Sequence, residues 1–424
     1  MKKYLEKLPQ ELQGIIALCS QLSSQSGLRS FLVGGFVRDL ILGVNNLDVD
    51  IVVECDGIRF AEKLASSLRA GLIRHKRFQT ATVLLSHGFK IDIATARSES
   101  YPEPACLPCV SNATLEDDLK RRDFTINALA LSLNEEDYGK LLDFFEGIKD
   151  LRNKRIRILH PLSFIDDPTR MLRAIRFEKR YGFVLEPQTL KLLKEASRDK
   201  MLERVQPQRL RDEVILILEE KDPLVQVERI QQLTGWGFLH KRLTAGRNTR
   251  KLFREAAGQI NWFRSVYSGH RKLDAWLIYL MALTDKLSTK ETESILKLYA
   301  FRRGETKRII SYKNIGRHFL NELMRRDLEP ARVFGLLNSL SYEVIILIRA
   351  KFKDKNIAKH ISDFFGLYNS MRLHVTGHDL KVLGIEPGPS YQKILERVFR
   401  AKLNGHVSTK EEELEFIRRS LRKR

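Results

Sequence analysis

The stretch FLVGGFVRDLILGVNNLDVDIVV, residues 31 to 53, predicts two apolar strands joined by a segment that carries glycine and charge. Side chains two positions apart on a strand point to the same face, so Asp48 and Asp50 present two carboxylates together while Val49 and Ile51 face the core. Carboxylate oxygens suit Mg²⁺, which usually takes one or two protein carboxylates plus substrate phosphates. The alternative is a strand end with two solvated acids.

A glycine pair precedes this acidic strand. Gly34 and Gly35 follow the first strand, where they let backbone N–H groups approach a phosphate closely. Arg38 lies on the next turn, which we expect to be helical, and can neutralise phosphate charge. A plain tight turn would use the same glycines. Together with the acidic pair, they favour a nucleoside triphosphate site.

Two further segments carry charge beside apolar runs. Asp92, in KIDIATAR, lies on another predicted strand, where it could complete a metal cluster or stay solvated. RRDFTINALAL (121 to 131) places Arg121, Arg122 and Asp123 just before a strand-like run. Arginines suit a triphosphate through bidentate contacts, and an aspartate can accept from a ribose hydroxyl. A surface charge cluster is the alternative.

Length and composition indicate a globular protein of two to four domains, with 424 residues and 43% hydrophobic content. The N-terminus lacks the apolar core of a secretory signal and no long uncharged apolar run occurs, so we expect a cytoplasmic protein without membrane contact. The four cysteines are scattered. Cys106 and Cys109 form a C-x-x-C, but without a second ligand pair we expect an ordinary loop rather than a metal or redox site.

The basic excess lies after residue 140. Residues 1 to 140 contain 17 Lys and Arg against 18 Asp and Glu, whereas the remainder contains 57 against 35, within a formal net charge of +21. Such an excess favours a polyanion, because phosphate contacts release counterions. An acidic membrane surface is a weaker interpretation without an amphipathic anchor or a lipidation motif.

The hydrophobic periodicity changes along the chain. Helical spacing at 62–70 lies among short apolar runs that predict the strands of one sheet, at 31–37, 47–54, 81–86, 89–95 and 126–133. From about residue 165 the period is 3.6 and we predict helices without strands. The sequence therefore predicts an α+β domain followed by an all-helical region.

These segments together resemble the nucleotidyltransferase superfamily, in particular the bacterial class of tRNA nucleotidyltransferases (CCA-adding enzymes) and the related poly(A) polymerases. The motifs that carry the resemblance occur in the expected order, as GGFVRDLILG, LDVDIVV, RRDFTINALAL, DFFEGIKDL and DDPTRMLRAIRF. The resemblance implies an α+β nucleotidyltransferase head with a single small sheet, followed by an all-α neck, body and tail. We expect these parts at 1–143, 144–212, 213–330 and 331–424.

The resemblance also implies the chemistry. Asp48 and Asp50 are expected to hold Mg²⁺ while the 3′-hydroxyl of a tRNA attacks the α-phosphate of CTP or ATP and pyrophosphate leaves. The contacts of the tail, which include TGHDLKVLGIEPGPSYQKILERV (376 to 398), are expected on the outer part of the tRNA. An HD pair at His378 and Asp379 has no partner histidines, so we do not expect a metal phosphohydrolase. No protein partner is implied.

The family's base-reading element, E-D-x-x-R, stands here as Asp166, Asp167, Pro168, Thr169 and Arg170. Asp167 and Arg170 share a helix face. The aspartate accepts from an exocyclic amine and the arginine donates to a ring acceptor, which together admit cytosine and adenine and reject uracil and guanine. Asp166 replaces the usual glutamate, and Pro168 predicts that Asp167 acts as a helix N-cap instead.

Neighbouring residues are expected in supporting positions. Arg173 and Arg176 continue the stripe of Arg170 toward the phosphates or the RNA. The resemblance implies a flexible hinge at DFFEGIKDL with Gly147 as pivot, where the alternative is a surface turn. A later helical element supports the site structurally, with Glu203, Arg204, Arg209 and Glu213. The basic segment at 241–273 mixes Lys and Arg with aromatics, which we expect mainly in the core.

Two alternatives stay open. A poly(A) polymerase would share the head, although RHKRFQTATV (74 to 83) lacks the glycine of the basic segment that such enzymes usually carry. A non-catalytic RNA-binding protein on the same scaffold would have lost a carboxylate, whereas Asp48 and Asp50 are both present. The sequence does not separate CCA-adding, CC-adding and A-adding enzymes.

Overall fold

The computed structural model describes residues 2–6, 8–44, 48–86, 88–267 and 271–422. The chain forms two compact units: Met1–Glu220 with Val225–Phe238, and Lys221–Leu224 with Leu239–Arg424. The first unit contains the strands and the second is helical, so the predicted fold class is confirmed. The finer division into four parts stays a prediction.

One mixed sheet organises the first unit. Within the described residues the strands are β1 Ser30–Val33, β2 Val49–Val53, β3 Gly71–His75, β4 Thr80–Leu84, β5 Lys90–Thr95, β6 Arg97–Ser100, β7 Cys109–Asn112, β8 Ala130–Ser132, β9 Leu141–Leu142, β10 Arg155–Ile156 and β11 Val184–Leu185. Seven of them form the sheet, in the order β3-β4-β5-β2-β1-β8-β9. The neighbours β2 and β5 are parallel, and the other pairs of this sheet are antiparallel.

Helices account for most of the remaining chain. In the first unit and the segment that follows it they are α1 Lys2–Leu5, α2 Gln10–Ser26, α3 Gly35–Leu42, α4 Gly57–Leu68, α5 Leu115–Lys120, α6 Gly147–Arg152, α7 Ser163–Asp166, α8 Thr169–Tyr181, α9 Pro187–Arg198, α10 Pro207–Leu218 and α11 Pro223–Leu233. The second unit has α12 Arg247–Val266, α13 Ala275–Leu283, α14 Thr289–Leu298, α15 Arg303–Lys313, α16 Arg317–Leu323, α17 Pro330–Leu337, α18 Tyr342–Lys351, α19 Lys355–Asp363, α20 Gly377–Val382, α21 Pro389–Leu403 and α22 Lys410–Arg422.

Alternation along the strands decides which face of the sheet α4 covers. Ala81, Val83, Ile91 and Ile93 are buried, and α4 packs against the strands that carry them. Asp56 caps this helix by accepting from the backbone N–H of Arg59. The side chains between these buried positions point to the opposite face of the sheet. Helix α4 does not cover that face, which is therefore available for a functional site.

Several predicted element bounds were wrong for local reasons. The strand predicted at 31–37 ends at Val33, because Gly34 turns the chain and α3 begins at Gly35. The run 126–133 is a strand only from Ala130, since Thr125–Asn127 form a 3₁₀ turn. Leu47, the first residue of the strand predicted at 47–54, lies outside the described residues.

The prediction of a single sheet without later strands was also too simple. Beside the seven-stranded sheet, the described residues contain two small two-stranded sheets, β6-β7 and β10-β11. β11 lies after residue 165, where we predicted helices only, and pairs in parallel with β10 through Arg155 and Ile156. Two residues are too few to produce a recognisable alternation.

The turn at Gly147 is closely packed. A Cβ built on Gly147 would lie 2.3 Å from the carbonyl oxygen of Thr125, and the glycine is buried. The backbone N–H groups of Gly147 and Ile148 donate to the carboxylate of Asp143 at 2.7 and 3.0 Å. Close approach of two backbone segments, rather than a left-handed conformation, therefore requires glycine here.

The helical unit has an aromatic and aliphatic core. Phe263 and Tyr267 are buried beside Phe365, which agrees with the core interpretation of the aromatics in 241–273. Residues 268–270 of that segment and residues 423–424 lie outside the described residues. Among the described residues, none of the helices is by itself long and apolar enough to span a membrane. A bent pair, Pro330–Leu337 with Tyr342–Lys351, meets that criterion by length and composition alone.

Candidate active site

A cavity of about 540 Å³ opens in the first unit. Its charged lining consists of the arginines Arg38, Arg121, Arg122, Arg170, Arg173, Arg176, Arg180 and Arg209, and of the acids Asp48, Asp50, Glu99, Asp123 and Asp167. Eight cations against five carboxylates leave a positive balance, which suits a polyanionic ligand such as a triphosphate. The cavity thus brings together predicted site residues that are up to 141 positions apart, from Gly35 to Arg176.

The glycine after β1 makes room for an arginine. Gly34 has φ +72° and ψ −135°, a conformation that L side chains rarely adopt, and a Cβ there would lie 2.5 Å from Nη1 of Arg122. Gly35, the first residue of α3, lines the cavity. The predicted glycine pair therefore has a structural purpose, which is to let the Arg122 guanidinium lie against the backbone at the start of α3.

Arg38 is buried rather than projecting into solvent. Its Nε and Nη2 donate to the carboxylate of Asp39 at 2.8 and 3.0 Å, and its Nη1 donates to Oδ1 of Asn127. The guanidinium also lies over the ring of Tyr181, 4.7 Å from the centroid, as in a cation–π contact. The Asp39 carboxylate neutralises part of the charge with which we expected Arg38 to face phosphate.

The acids lie on neighbouring strands. Asp50 on β2 is opposite Asp92 on β5 in the parallel register, and Asp48 immediately precedes β2. Burial raises the pKa of Asp50 to about 6, with the negative charges of Asp92 and Asp48 acting in the same direction and Arg122 opposing them. The arrangement concentrates negative charge that the protein compensates only in part.

Asp92 lies beside Asp50 but is not among the residues that line the cavity. The hydroxyl of Thr82 on β4 donates to Asp92 Oδ1 at 2.6 Å. Nζ of Lys90 lies 3.4 Å from the Asp92 carboxylate and 3.7 Å from that of Asp48. The three acids therefore meet around a lysine at the boundary of the cavity.

Arg121 and Arg122 share one buried carboxylate. Asp118 is fully buried and contacts both guanidinium groups, at 2.6 and 3.1 Å. Burial alone would raise the pKa of Asp118, but Arg122 and Arg121 lower it overall. Arg121 also binds Glu99 at 2.9 Å, whereas Arg122 has an Nε with no hydrogen-bond partner among the described residues. That Nε is buried, and Arg122 pairs with one of these two acids where Arg121 pairs with both, so less of the charge of Arg122 is neutralised.

Asp123 and Arg173 form an ion pair at the back of the cavity. The Asp123 carboxylate accepts from Asn127 Nδ2 at 2.8 Å and from Arg173 Nε at 2.9 Å. Burial would raise the pKa of Asp123, but Arg173 and the Asn127 hydrogen bond lower it. Arg173 also contacts Glu213, as does Arg176, at 3.0 and 3.4 Å. Arg173 and Arg176 thus line the cavity, but carboxylates already neutralise much of their charge.

The predicted base-reading pair lies at the start of α8. Asp167 Oδ1 accepts from the backbone N–H and hydroxyl of Thr169 at 3.1 and 2.6 Å, and Oδ2 accepts from Arg209 Nη2 at 2.8 Å. Arg170 donates to Ser163 Oγ and to the Arg121 carbonyl, both at 2.7 Å. Asp167 therefore makes the capping contact that Pro168 predicted, and the same side chain lines the cavity.

Several lining residues were not predicted from the sequence as ligand-facing groups, among them Arg209, Glu99, Tyr101 and Arg180. Arg209 was expected only as structural support, yet it contacts Asp167 directly. Glu99 and Tyr101 come from the hairpin β6-β7, where Tyr101 donates to Glu99 at 2.8 Å. Arg180 extends the stripe of Arg173 and Arg176 by a further turn. The helical spacing of Arg180 after Arg176 could have identified Arg180 from the sequence. The proline-rich stretch after Tyr101 is typical of a loop and gave no such signal for Glu99 and Tyr101.

Other candidate ligands do not gather. Within the described residues, no group of three or more His, Cys, Asp or Glu side chains is arranged to hold a metal ion. Asp379 of the HD pair instead closes a capping box with Thr376 and binds Lys410 at 2.7 Å. Cys106 and Cys109 carry free thiols. The described acids Asp48, Asp50 and Asp92 do not form such a group of three either, and the acids at β2 and β5 remain candidate metal-binding residues because the register places them side by side.

Known proteins are similar to this chain along most of its length. Residues 30–157 match the family described as Poly A polymerase head domain. An A-adding tRNA nucleotidyltransferase of Geobacter sulfurreducens is 37% identical over 96% of this chain and 47% of its own length. One of Halalkalibacterium halodurans is 30% identical over 94% of this chain and 90% of its own. The chain thus spans about half the length of the first relative and most of the second.

A solved structure extends the likeness to the whole chain. The Thermotoga maritima CCA-adding enzyme complexed with tRNA is 33% identical, with a TM-score of 0.73 over 99% of this chain and 98% of that one. Other similar structures are of CCA-adding enzymes with CTP and with ATP. With two relatives that share its sequence nearly end to end and a solved structure that shares its fold, the chain belongs to the family of tRNA nucleotidyltransferases.

Proposed function

We propose that this protein is a template-independent nucleotidyltransferase that adds C, A or both to the 3′ end of tRNA and releases pyrophosphate. The observation that carries the proposal is the cavity itself. It is lined by an acidic pair, an array of arginines and the Asp167/Arg170 pair. These are the three recognition elements that a nucleoside triphosphate requires at its α-phosphate, its phosphate chain and its base.

The arginines would hold the triphosphate. Arg122 lines the cavity with its Nη1 beside Gly34, and the positive balance of the lining compensates the phosphate charge. Arg38 and Arg173 are fixed by Asp39 and Asp123, which makes the cationic wall rigid before a nucleotide arrives. Rigid donors lose little freedom on binding, so they align the α-phosphate for attack.

The acids fit a divalent cation. The raised pKa of Asp50 reflects burial together with neighbouring negative charge, which Mg²⁺ would relieve. Asp48 and Asp50 would hold the ion and Asp92 would lie beside it. When bound, Mg²⁺ supplies neutralisation of charge on the attacking and leaving oxygens. Above about pH 6 the Asp50 carboxylate is ionised, as binding of a cation requires.

Asp167 and Arg170 would select the base. The Asp167 carboxylate offers about four acceptor positions, three of which are used by Thr169 and Arg209, so one remains for an exocyclic amine. Arg170 uses Nη1 and Nη2 once each, which leaves donors for a ring acceptor. Cytosine and adenine satisfy both groups, whereas uracil and guanine place a carbonyl against the carboxylate.

Radiolabelled CTP and ATP, offered separately with tRNAs that end at the discriminator, at C or at CC, test the proposal. Incorporation of AMP into the CC-ended tRNA alone would identify an A-adding enzyme, CMP addition alone a CC-adding enzyme, and both a CCA-adding enzyme. Addition of many A residues to unrelated RNA would support a poly(A) polymerase. Binding of tRNA without any incorporation would indicate a non-catalytic RNA-binding protein.

A further inference from the structure

The face of the sheet beyond Asp92 is open. Directly opposed residues of adjacent strands point to the same face, so the register places Asp50, Asp92, Thr82 and Ile73 in one row across β2, β5, β4 and β3. Leu84, opposite Lys90, lies on the same face one row away. The acids thus continue sideways into a surface of aliphatic and hydroxyl groups.

Helix α4 does not cover this surface. It packs on the opposite face, where the alternating residues of β4 and β5 are buried. By contrast, Ile73 is 46% exposed and Leu84 is 41% exposed. Two exposed aliphatic side chains therefore lie beside Asp92, at the edge of the sheet that is remote from β1.

The nucleotide cavity lies on the other side of the acids. Gly35 and Arg38, on the helix that follows β1, line the cavity with Arg122, and β1 adjoins β2 on the side away from β5. In an in-line displacement the attacking oxygen approaches opposite to the leaving group. A triphosphate that enters from the β1 side leaves the β5-β4-β3 side for the attacking 3′-hydroxyl.

We propose that this open surface, formed by Ile73, Thr82, Leu84 and Lys90, binds the last nucleotide of the RNA that is extended. Its base packs on Leu84 and Ile73, and Lys90 lies close enough to the acids to meet the phosphate that precedes the reacting ribose. Thr82 fixes Asp92 toward the same nucleotide through its 2.6 Å hydrogen bond. This inference rests on the proposed function, because it assumes an RNA acceptor.

The kinetic test combines a variant with a change in the RNA. Leu84→Ser is assayed with acceptor-stem RNAs that end in CC and whose last nucleotide carries its base or is abasic. We expect KM for the intact RNA to rise about fivefold to tenfold, with KM for ATP unchanged, because an apolar contact to one base is lost. The abasic RNA should show no further rise, since the two changes remove the same contact.

Leu216→Ser is the matched control, because Leu216 on α10 is also 41% exposed but lies outside the cavity. It should leave both KM values unchanged. An equal rise in KM for intact and abasic RNA, or no rise for Leu84→Ser, would overturn the inference.

A second measurement does not depend on catalysis. An acceptor-stem RNA that ends in 4-thiouridine is crosslinked to the wild-type protein by ultraviolet light and the product is mapped by mass spectrometry. Crosslinks within residues 70–90 support the inference, and crosslinks confined to residues 239–424 refute it. Absence of nucleotide incorporation by the wild-type protein would refute the proposed function alone, because the crosslink still reports where the terminal nucleotide lies.

Discussion

Replacement of Gly34 by alanine tests how the backbone positions Arg122 in the arginine-rich lining that we propose binds phosphate. Gly34 occupies a backbone region that is essentially restricted to glycine, so Gly34→Ala should lower the free energy of unfolding by about 1–3 kcal/mol. With an unfolding entropy of about 2.1 cal/mol/K per residue, this corresponds to a decrease in Tm of roughly 1–3 °C for a chain of 424 residues. The new Cβ would also lie 2.5 Å from Arg122 Nη1 and displace the guanidinium from the cavity.

The loss of activity follows from the displaced arginine. A hydrogen bond to a charged group contributes about 1.5–3 kcal/mol, so kcat/KM for ATP should fall about 10- to 100-fold. Gly14→Ala is the control, because Gly14 lies on α2 with nothing within 4 Å of a Cβ. In a helix that substitution should stabilise the protein by about 0.5–1 kcal/mol and leave kcat/KM unchanged.

A double variant separates backbone strain from the arginine. If Gly34→Ala acts through Arg122, adding it to Arg122→Ala should lower Tm further without a further loss of kcat/KM. Thermal unfolding and steady-state kinetics on the four proteins measure both effects. Full additivity of the two losses in kcat/KM, or a Gly34→Ala variant that matches wild type in Tm, would refute the reasoning.

The remaining predictions concern the acids, the base and pH. Asp48→Ala or Asp50→Ala should abolish incorporation while a filter-binding assay still detects tRNA binding, and unimpaired turnover would remove the proposed metal role. Asp167→Ala should increase misincorporation of UTP and GTP more than it weakens triphosphate binding; unchanged selectivity would leave only the capping role. Arg209→Met frees the Asp167 carboxylate, so it should relax selectivity in the same direction by about tenfold or less, with kcat for the correct nucleotide falling less than selectivity; selectivity equal to wild type would contradict this. Hydrogen bonds from the Ser288 backbone and hydroxyl lower the pKa of Glu291 to about 2, so its contribution to stability is present above pH 4.5 and is lost as pH falls toward 2; Glu291→Gln should therefore differ from wild type in Tm at pH 6 but not at pH 2, and a constant difference would refute it.

The part of the site on β2 and at the start of α3 was predictable, because its residues are close in sequence and follow simple patterns. Alternation on β2 placed Val49 and Ile51 in the core, and the glycine pair marked the turn into α3. The family resemblance supplied Asp167 and Arg170, and both line the cavity.

Contacts between side chains that are far apart in the sequence were not predictable. Arg38 looked like a free cation, but it pairs with Asp39 and Asn127. Arg209 was expected to give structural support only, but it lies 2.8 Å from Asp167, although 42 positions separate them. No local pattern encodes such pairs, because they depend on how α8 and α10 pack. The strands β10 and β11 were not predicted, because each has two residues and two residues cannot show a hydrophobic period.

The parallel pairing of β2 with β5 has a consequence for biosynthesis. Asp50 and Asp92 become neighbours only after α4, β3 and β4 have been made and β5 has inserted next to β2. A ribosome must therefore release at least 95 residues before the acids can meet, and this non-local step is expected to be slow compared with helix formation. Nascent chains shorter than this have no assembled acidic centre with which to capture metal or nucleotide.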